Sequence, residues 1–190
     1  MQQHHESNDH ECVNCRRLQQ EIIALKEELA EMKRHAYHDA LTGLSNRRFF
    51  IENVENRISR CMRYGDKCAL LFLDVDNLKA INDKHGHVAG DLVLVRLSEI
   101  LKRHTRTSDV VARIGGDEFG LLLDNLDRDQ VLAKIAFFMK RFSTANCTLN
   151  GKQLPLGAAI GYCFVGPQDT VEGLMSRADA AMYRAKDKFE

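Results

Sequence analysis

Leu18, Ile22, Leu25, Leu29, Met32 and Ala36 follow one another at steps of four, three, four, three and four. That spacing is the a/d seam of a heptad repeat, and Glu21, Lys26, Glu27, Glu28, Glu31, Lys33 and Arg34 fill the other faces. The stretch has no Gly or Pro, so residues 18–37 are expected to be one helix. A helix folded onto its own domain carries a broader apolar face; this narrow seam, placed ahead of the domain, favours a coiled-coil dimerisation helix. Beyond residue 38 the pattern changes. Residues 46–63 put Phe50, Val54, Ile58 and Met62 on one helical face, and Gly65 and Asp66 end it. Residues 69–75 are an apolar run of strand length, interrupted near its end by Asp74. Residues 88–104 read as a helix with Val93, Leu97, Ile100 and Leu101 facing inward. Residues 110–114 and 119–123 are strands around a Gly-Gly turn, and residues 130–142 are a further helix. Residues 146–149 and 154–165 are strands joined at Asn150-Gly151, a type I′ turn signal. Residues 171–186 form the last helix. The order β-α-β-β-α-β predicts an α/β (α+β) domain over 38–190, a ferredoxin-like sheet with helices on one side.

The chain has 190 residues, enough for one domain with a real core and a smaller appendage. Lys+Arg and Asp+Glu are both 27, so no long-range field draws the chain to nucleic acid or to an anionic membrane. Any anionic ligand must be held by local basic groups. No apolar run approaches the ~20 residues that span a bilayer, and the polar first fifteen residues lack the plan of a signal peptide. A cytoplasmic protein without a membrane span is expected. Cys61, Cys68, Cys147 and Cys163 stand singly in apolar segments and read as small buried hydrophobes. Residues 1–17 differ, because His4, His5, His10, Cys12 and Cys15 crowd together there. Cys12, Cys15 and His10 suit a zinc ion completed by further ligands, Cys12 and Cys15 a redox-sensitive or interchain disulfide, and the whole tip a plain polar extension.

The chemistry concentrates in two places. The apolar run ends in Asp74-Val75-Asp76, and strand periodicity puts the two carboxylates on one side. The central hairpin tip reads Gly115-Gly116-Asp117-Glu118, whose glycines permit positive φ and the close approach of a ligand. Should the two strands be neighbours, three or four carboxylates converge and repel one another unless a cation sits among them. Oxygen ligands alone suit Mg²⁺, which commonly shares its shell with phosphates. A magnesium-dependent phosphoryl or nucleotidyl transfer site is therefore expected. The plainer alternative is a solvated acidic turn, which either segment alone would satisfy.

Five segments resemble the GGDEF family of diguanylate cyclases. They are residues 39–48 (DALTGLSNRR), 74–83 (DVDNLKAIND), 86–91 (GHVAGD), the unaltered signature at 115–119 (GGDEF) and 177–186 (RADAAMYRAK). The resemblance spans about residues 38–188 and implies a nucleotidyl-cyclase-type sheet that condenses two GTP into cyclic di-GMP. By it, Asp74, the Val75 carbonyl, Asp117 and Glu118 would hold Mg²⁺ or Mn²⁺, and Asp117 would help deprotonate the attacking hydroxyl. Asn82 and Asp91 would hydrogen-bond guanine, with His87 and Leu78 lining the pocket and Gly115 and Gly116 admitting the phosphates. Lys79 and Lys186 would neutralise the triphosphate. Taken without the resemblance, Asn82 and Asp91 also suit helix caps and the two lysines suit solvated side chains. Arg106-Thr107-Ser108-Asp109 matches the family's RxxD inhibitory site for the product, with Arg113 as a link to the hairpin. Two departures stand out: Asn77 and Leu78 where Phe is frequent, and an ending without the usual Gly-Arg-Asn-like segment. Each domain would supply half of a symmetric site, so a homodimer is implied. The rival reading is a catalytically silent cyclic di-GMP receptor, though such a protein tends to lose the carboxylates that this chain keeps.

Overall fold

The computed structural model describes residues 6–186, and side chains for residues 14–29, 31–32 and 36–186. The chain divides into two compact units, Met1–Ala36 and Tyr37–Glu190. In the first, α1 (Glu6–Tyr37) begins, and Leu18, Ile22, Leu25, Leu29 and Met32 stand more than half exposed along it. The side chains of Cys12 and His10 lie outside the described residues; Cys15 is an exposed free thiol.

The second unit runs α2 (Arg47–Tyr64), β1 (Cys68–Val75), α3 (Leu78–His85), α4 (His87–Arg103), β2 (Val110–Arg113), β3 (Glu118–Asp124), α5 (Arg128–Ser143), β4 (Thr148–Leu149), β5 (Lys152–Gln153), β6 (Ala158–Phe164) and α6 (Val171–Lys186). Local chemistry sets the boundaries. The Asn46 side chain accepts the Phe49 N–H to start α2, and Gly65, at φ 70°, closes it. Asp127 and Gln130 form a reciprocal capping box at the start of α5. The main sheet has the order β2-β3-β1-β6 with every pair antiparallel, which is the ferredoxin-like arrangement. Its outer strand β2 is flanked by Ser45, which bridges Ala112 in parallel and accepts the Arg113 N–H at 2.9 Å.

Helices cover both faces of this sheet, not one. Along β1, Ala69, Leu71, Leu73 and Val75 belong to a core shared with α3, α4 and α5, while Leu70 and Phe72 belong to a second core shared with α2 and α6. An apolar run without alternation is what a strand buried on both sides requires. At Gly161 a Cβ would stand 2.0 Å from the Met182 backbone N, so α6 packs onto β6 only because this position has no side chain.

Three further expectations change. Met62 is 63% exposed and only Phe50, Val54 and Ile58 of its face pack inward. The long strand over 154–165 is broken: Pro155 lacks a ladder donor, and Leu154 and Leu156 turn into the first core before β6 starts at Ala158. The Asn150-Gly151 turn does form, with φ of 51° and 76°, but joins two-residue strands in a separate small sheet. Cys68 and Cys147 are buried, and burial pushes the Cys68 thiol up to about 12. Cys61 and Cys163 are half-buried against the second core.

Candidate active site

β1 and β3 bring the acidic segments together. Asp74 lies directly across from Glu118, and the ladder continues through the Val75 N–H donating to the Asp117 carbonyl at 3.0 Å. Opposed residues of an antiparallel pair have Cβ atoms ~5 Å apart on the same face. The Glu118 carboxyl folds over the hairpin, where a Cβ on Gly115 would stand 2.5 Å from its Oε2. Glycine at 115 leaves room for that position of the carboxyl. Neither Gly115 nor Gly116 adopts positive φ, against expectation.

The cluster is electrostatically tense. Burial first, and then the charges of Asp117, Asp74 and Asp179, push the Glu118 carboxyl up. Asp76 is pushed up by burial and, among its neighbours, by Asp74. It sits past the end of β1, its N–H donating to the Gly157 carbonyl at 3.0 Å. A Cβ on Gly157 would stand 2.6 Å from its Oδ2. Lys186, at the end of α6, donates to Asp74 Oδ1 at 2.6 Å, and this bond first of all raises its pKa. Among the described residues no three His, Cys, Asp or Glu side chains form a ready metal cage. The donor set is nevertheless oxygen-only: Asp74 and Glu118 on one face, with Asp117 and the Val75 carbonyl beside them. It fits a hard divalent cation whose shell phosphates complete.

α3 and α4 build the adjoining pocket. Asn77, at φ 56°, turns the chain from β1 into α3, an element absent from the sequence reading, and Gly86 at φ 83° joins α3 to α4. Asn82 Oδ1 is buried without a hydrogen-bond partner, and a Cβ on Gly90 would meet it at 2.0 Å. A buried unpaired amide oxygen is costly in a resting protein and signals a missing donor. His87 and Asp91 are exposed one turn apart at the start of α4. Neither Asn82 nor Asp91 caps a helix, so the capping alternative falls. Leu78 packs partly against the first core, while Lys79 is exposed.

The Arg106–Asp109 turn lies elsewhere. The Arg106 N–H donates to Asp109 Oδ2 at 2.8 Å, which closes it. Arg57 braces it from α2, forking onto Asp124 at 2.8 and 2.9 Å and donating to the Ser108 carbonyl at 3.1 Å. A cavity of about 420 Å³ lies on one side, lined by Arg106, Asp109, Lys134, Phe137 and Gln130 among others. A second of about 570 Å³, reaching Asn53, Arg57 and Lys102, shares the turn as a wall. Arg113 lines neither. Its guanidinium donates to the Gly116 carbonyl at 2.7 and 3.2 Å and to Asp39 at 3.2 and 3.3 Å.

Residues 36–190 match the family model described as diguanylate cyclase, GGDEF domain. The chain belongs to the GGDEF family. It is 39% identical over 168 residues to diguanylate cyclase TpbB of Pseudomonas aeruginosa, covering 85% of this chain and 38% of that protein. It is 36% identical over 177 residues to the bifunctional diguanylate cyclase/cyclic di-GMP phosphodiesterase MucR of the same species, covering 90% of this chain and 26% of that one. The chain thus spans well under half the length of these relatives. Its fold is similar to that of a DgcB structure from Caulobacter crescentus comprising the coiled coil and GGDEF domain of that protein in complex with c-di-GMP, at TM-score 0.85 and 24% identity over 93% of this chain and 94% of that one.

Within this GGDEF domain several participants escaped the sequence reading. Lys134 and Phe137 reach the Arg106 cavity from α5, and no local signal marks them on an amphipathic helix. Asp179 and Arg47 act on Glu118 from α6 and α2, which only the tertiary fold brings near. Asp39 was visible within its motif, but its partner Arg113 lies 74 positions away.

Proposed function

We propose that this GGDEF domain is a diguanylate cyclase that condenses two GTP into cyclic di-GMP and releases two pyrophosphates. The observation that carries this reading is the Asp74–Glu118 cross-strand pair beside the Gly115 cradle, next to a pocket with an unpaired Asn82 oxygen. Asp74, Asp117, Glu118 and the Val75 carbonyl are the ligands for Mg²⁺ or Mn²⁺. The cation supplies positive charge to the triphosphate as negative charge builds on its oxygens. Asn82 and Asp91 read the guanine edge with His87 and Leu78 beside them, because an unmatched base leaves buried polar groups unpaired. Gly115 and Gly116 leave room for phosphates, and Lys79 and Lys186 offset their charge. Asp117 accepts the proton of the 3′-hydroxyl that attacks the α-phosphorus of the other GTP. That GTP belongs to a second domain, so the reaction needs a homodimer. The exposed seam of α1 supplies it as a parallel coiled coil and raises the effective concentration of the second domain. Arg106 and Asp109 hold cyclic di-GMP as feedback inhibitor, and Arg113 belongs instead to the hairpin. A substrate of this kind goes with a cytoplasmic site of action. Zinc at Cys12, Cys15 and His10 remains a proposal for the N-terminal tip alone.

Incubation with GTP and Mg²⁺, followed by chromatography for cyclic di-GMP, tests the reading. Absence of product at protein concentrations that give dimers sinks it and leaves the receptor alternative.

A further inference from the structure

A lysine at the end of α6 reaches the carboxylates gathered at the end of β1. The Lys186 ammonium lies 2.6 Å from Asp74 Oδ1, and Asp76 and Asp117 are the other carboxylates whose charge reaches it. The Asp74 side chain is 16% exposed and that of Lys186 is 36% exposed, so water screens the contact only in part. Lys186 also stands in the last turn of α6, where helix carbonyls favour a cation.

We propose that Lys186 is a resident cation that occupies Asp74 until a triphosphate arrives, making divalent-metal binding conditional on nucleotide. The inference rests on the cyclase reading of Asp74 as a metal ligand. An ammonium and a divalent ion cannot both sit against one carboxylate without strong like-charge repulsion at a few ångströms. Lys186 on Oδ1 therefore disfavours a metal on the same carboxylate, and the metal is favoured when Lys186 moves away. Its four-carbon stem allows the ammonium to swing away, and leaving Asp74 for water alone is less favourable than leaving it for a nearby anion. The triphosphate is that anion. Metal without nucleotide competes with Lys186; metal with nucleotide does not. Linkage makes the effect reciprocal, so the metal tightens nucleotide by the same factor. Lys186 in this role is a positioning residue, and what it controls is the order of assembly.

The test is Mn²⁺ binding to the full chain, followed by electron paramagnetic resonance, with and without an α,β-methylene GTP analogue. In the wild-type protein the analogue should tighten Mn²⁺ strongly. Lys186→Met should bind Mn²⁺ without nucleotide at least about fivefold more tightly than wild type, the lower end of usual coupling between two sites. The tightening produced by the analogue should shrink by a similar factor. Lys186→Arg, which keeps the charge, should behave like wild type, and Asp74→Asn should abolish the gain seen in Lys186→Met. An unchanged or weaker nucleotide-free Mn²⁺ affinity in Lys186→Met overturns the proposal. If wild type still makes cyclic di-GMP in that case, the cyclase reading stands and only the role of Lys186 falls. If wild type makes no product, the cyclase reading falls whatever Mn²⁺ does.

Discussion

Arg113→Ala removes the clamp between the hairpin tip and the segment that follows α1. The wild-type guanidinium makes two hydrogen bonds to the Gly116 carbonyl and two to the Asp39 carboxylate. The Arg113 and Asp39 side chains are 15% and 23% exposed, so the pair is neither a screened surface bridge nor a fully desolvated one. Hydrogen bonds to charged groups contribute about 1.5–3 kcal/mol, whereas exposed pairs contribute about 0–1 kcal/mol. Two features keep the loss at the lower part of that range. Asp39 retains the Thr42 N–H and hydroxyl at 2.8 and 2.7 Å, and the carbonyl of exposed Gly116 can recover water. The expected loss is about 2 kcal/mol, or about 4–8 °C in Tm for a domain of this size. The pH dependence has a definite sign. Burial alone would raise the Asp39 carboxyl, but the hydrogen bonds from Thr42 and the charge and hydrogen bond of Arg113 outweigh it and hold the group below the ordinary carboxylate range. A depressed acid stabilises the fold above its unfolded pKa, and the contribution disappears as pH falls through the folded pKa. The difference between wild type and Arg113→Ala in urea denaturation should therefore be full at pH 7 and shrink in strong acid. Arg113→Lys should recover only part of it, since an ammonium cannot fork between two acceptors. A variant within about 0.5 kcal/mol of wild type at pH 7, the scatter of ordinary surface substitutions, refutes the reasoning.

Asp117→Ala should abolish cyclic di-GMP formation while leaving the urea midpoint nearly unchanged, since only the backbone carbonyl of Asp117 joins the ladder. Glu118→Gln should stabilise the metal-free protein at neutral pH. An acid raised in the fold loses stability as pH climbs from its unfolded to its folded pKa, so the gain should vanish in acid and shrink on adding Mg²⁺ with a GTP analogue. Gly161→Ala forces a Cβ into the Met182 backbone and should cost at least the about 1–3 kcal/mol typical of overpacking, read from chemical denaturation. Arg106→Ala should relieve inhibition by added cyclic di-GMP without lowering the initial rate; retained inhibition would place the feedback site elsewhere.

The sheet and the acidic site were legible because local patterns carry them. An apolar run that leads into Asp74, and a Gly-Gly turn before Asp117 and Glu118, need only lie on neighbouring strands to make an acidic cluster, and β1 and β3 are neighbours. What local pattern cannot carry is sidedness. The run at β1 was long enough to announce burial on both faces, yet helices were expected on one, because no periodicity says where α2 and α6 return. Met62 was misplaced for a related reason: the face continues from Ile58 to Cys61, three positions on, and leaves Met62 exposed. Gly115 was read for positive φ, which it does not adopt, whereas the room it leaves beside the Glu118 carboxyl is a property of the folded hairpin. Lys134 and Arg57 carried no sequence mark at all, because long-range packing alone gives them their neighbours.

The Ser45 bridge to Ala112 has a consequence for association. An outermost strand offers unpaired amides and carbonyls to any chain that comes near, and a protein whose copies meet repeatedly at high local concentration is especially exposed to such pairing. Here the border of the sheet at β2 is engaged by Ser45, which bridges Ala112 and accepts the Arg113 N–H. Two copies are thus denied one route to a continuous sheet.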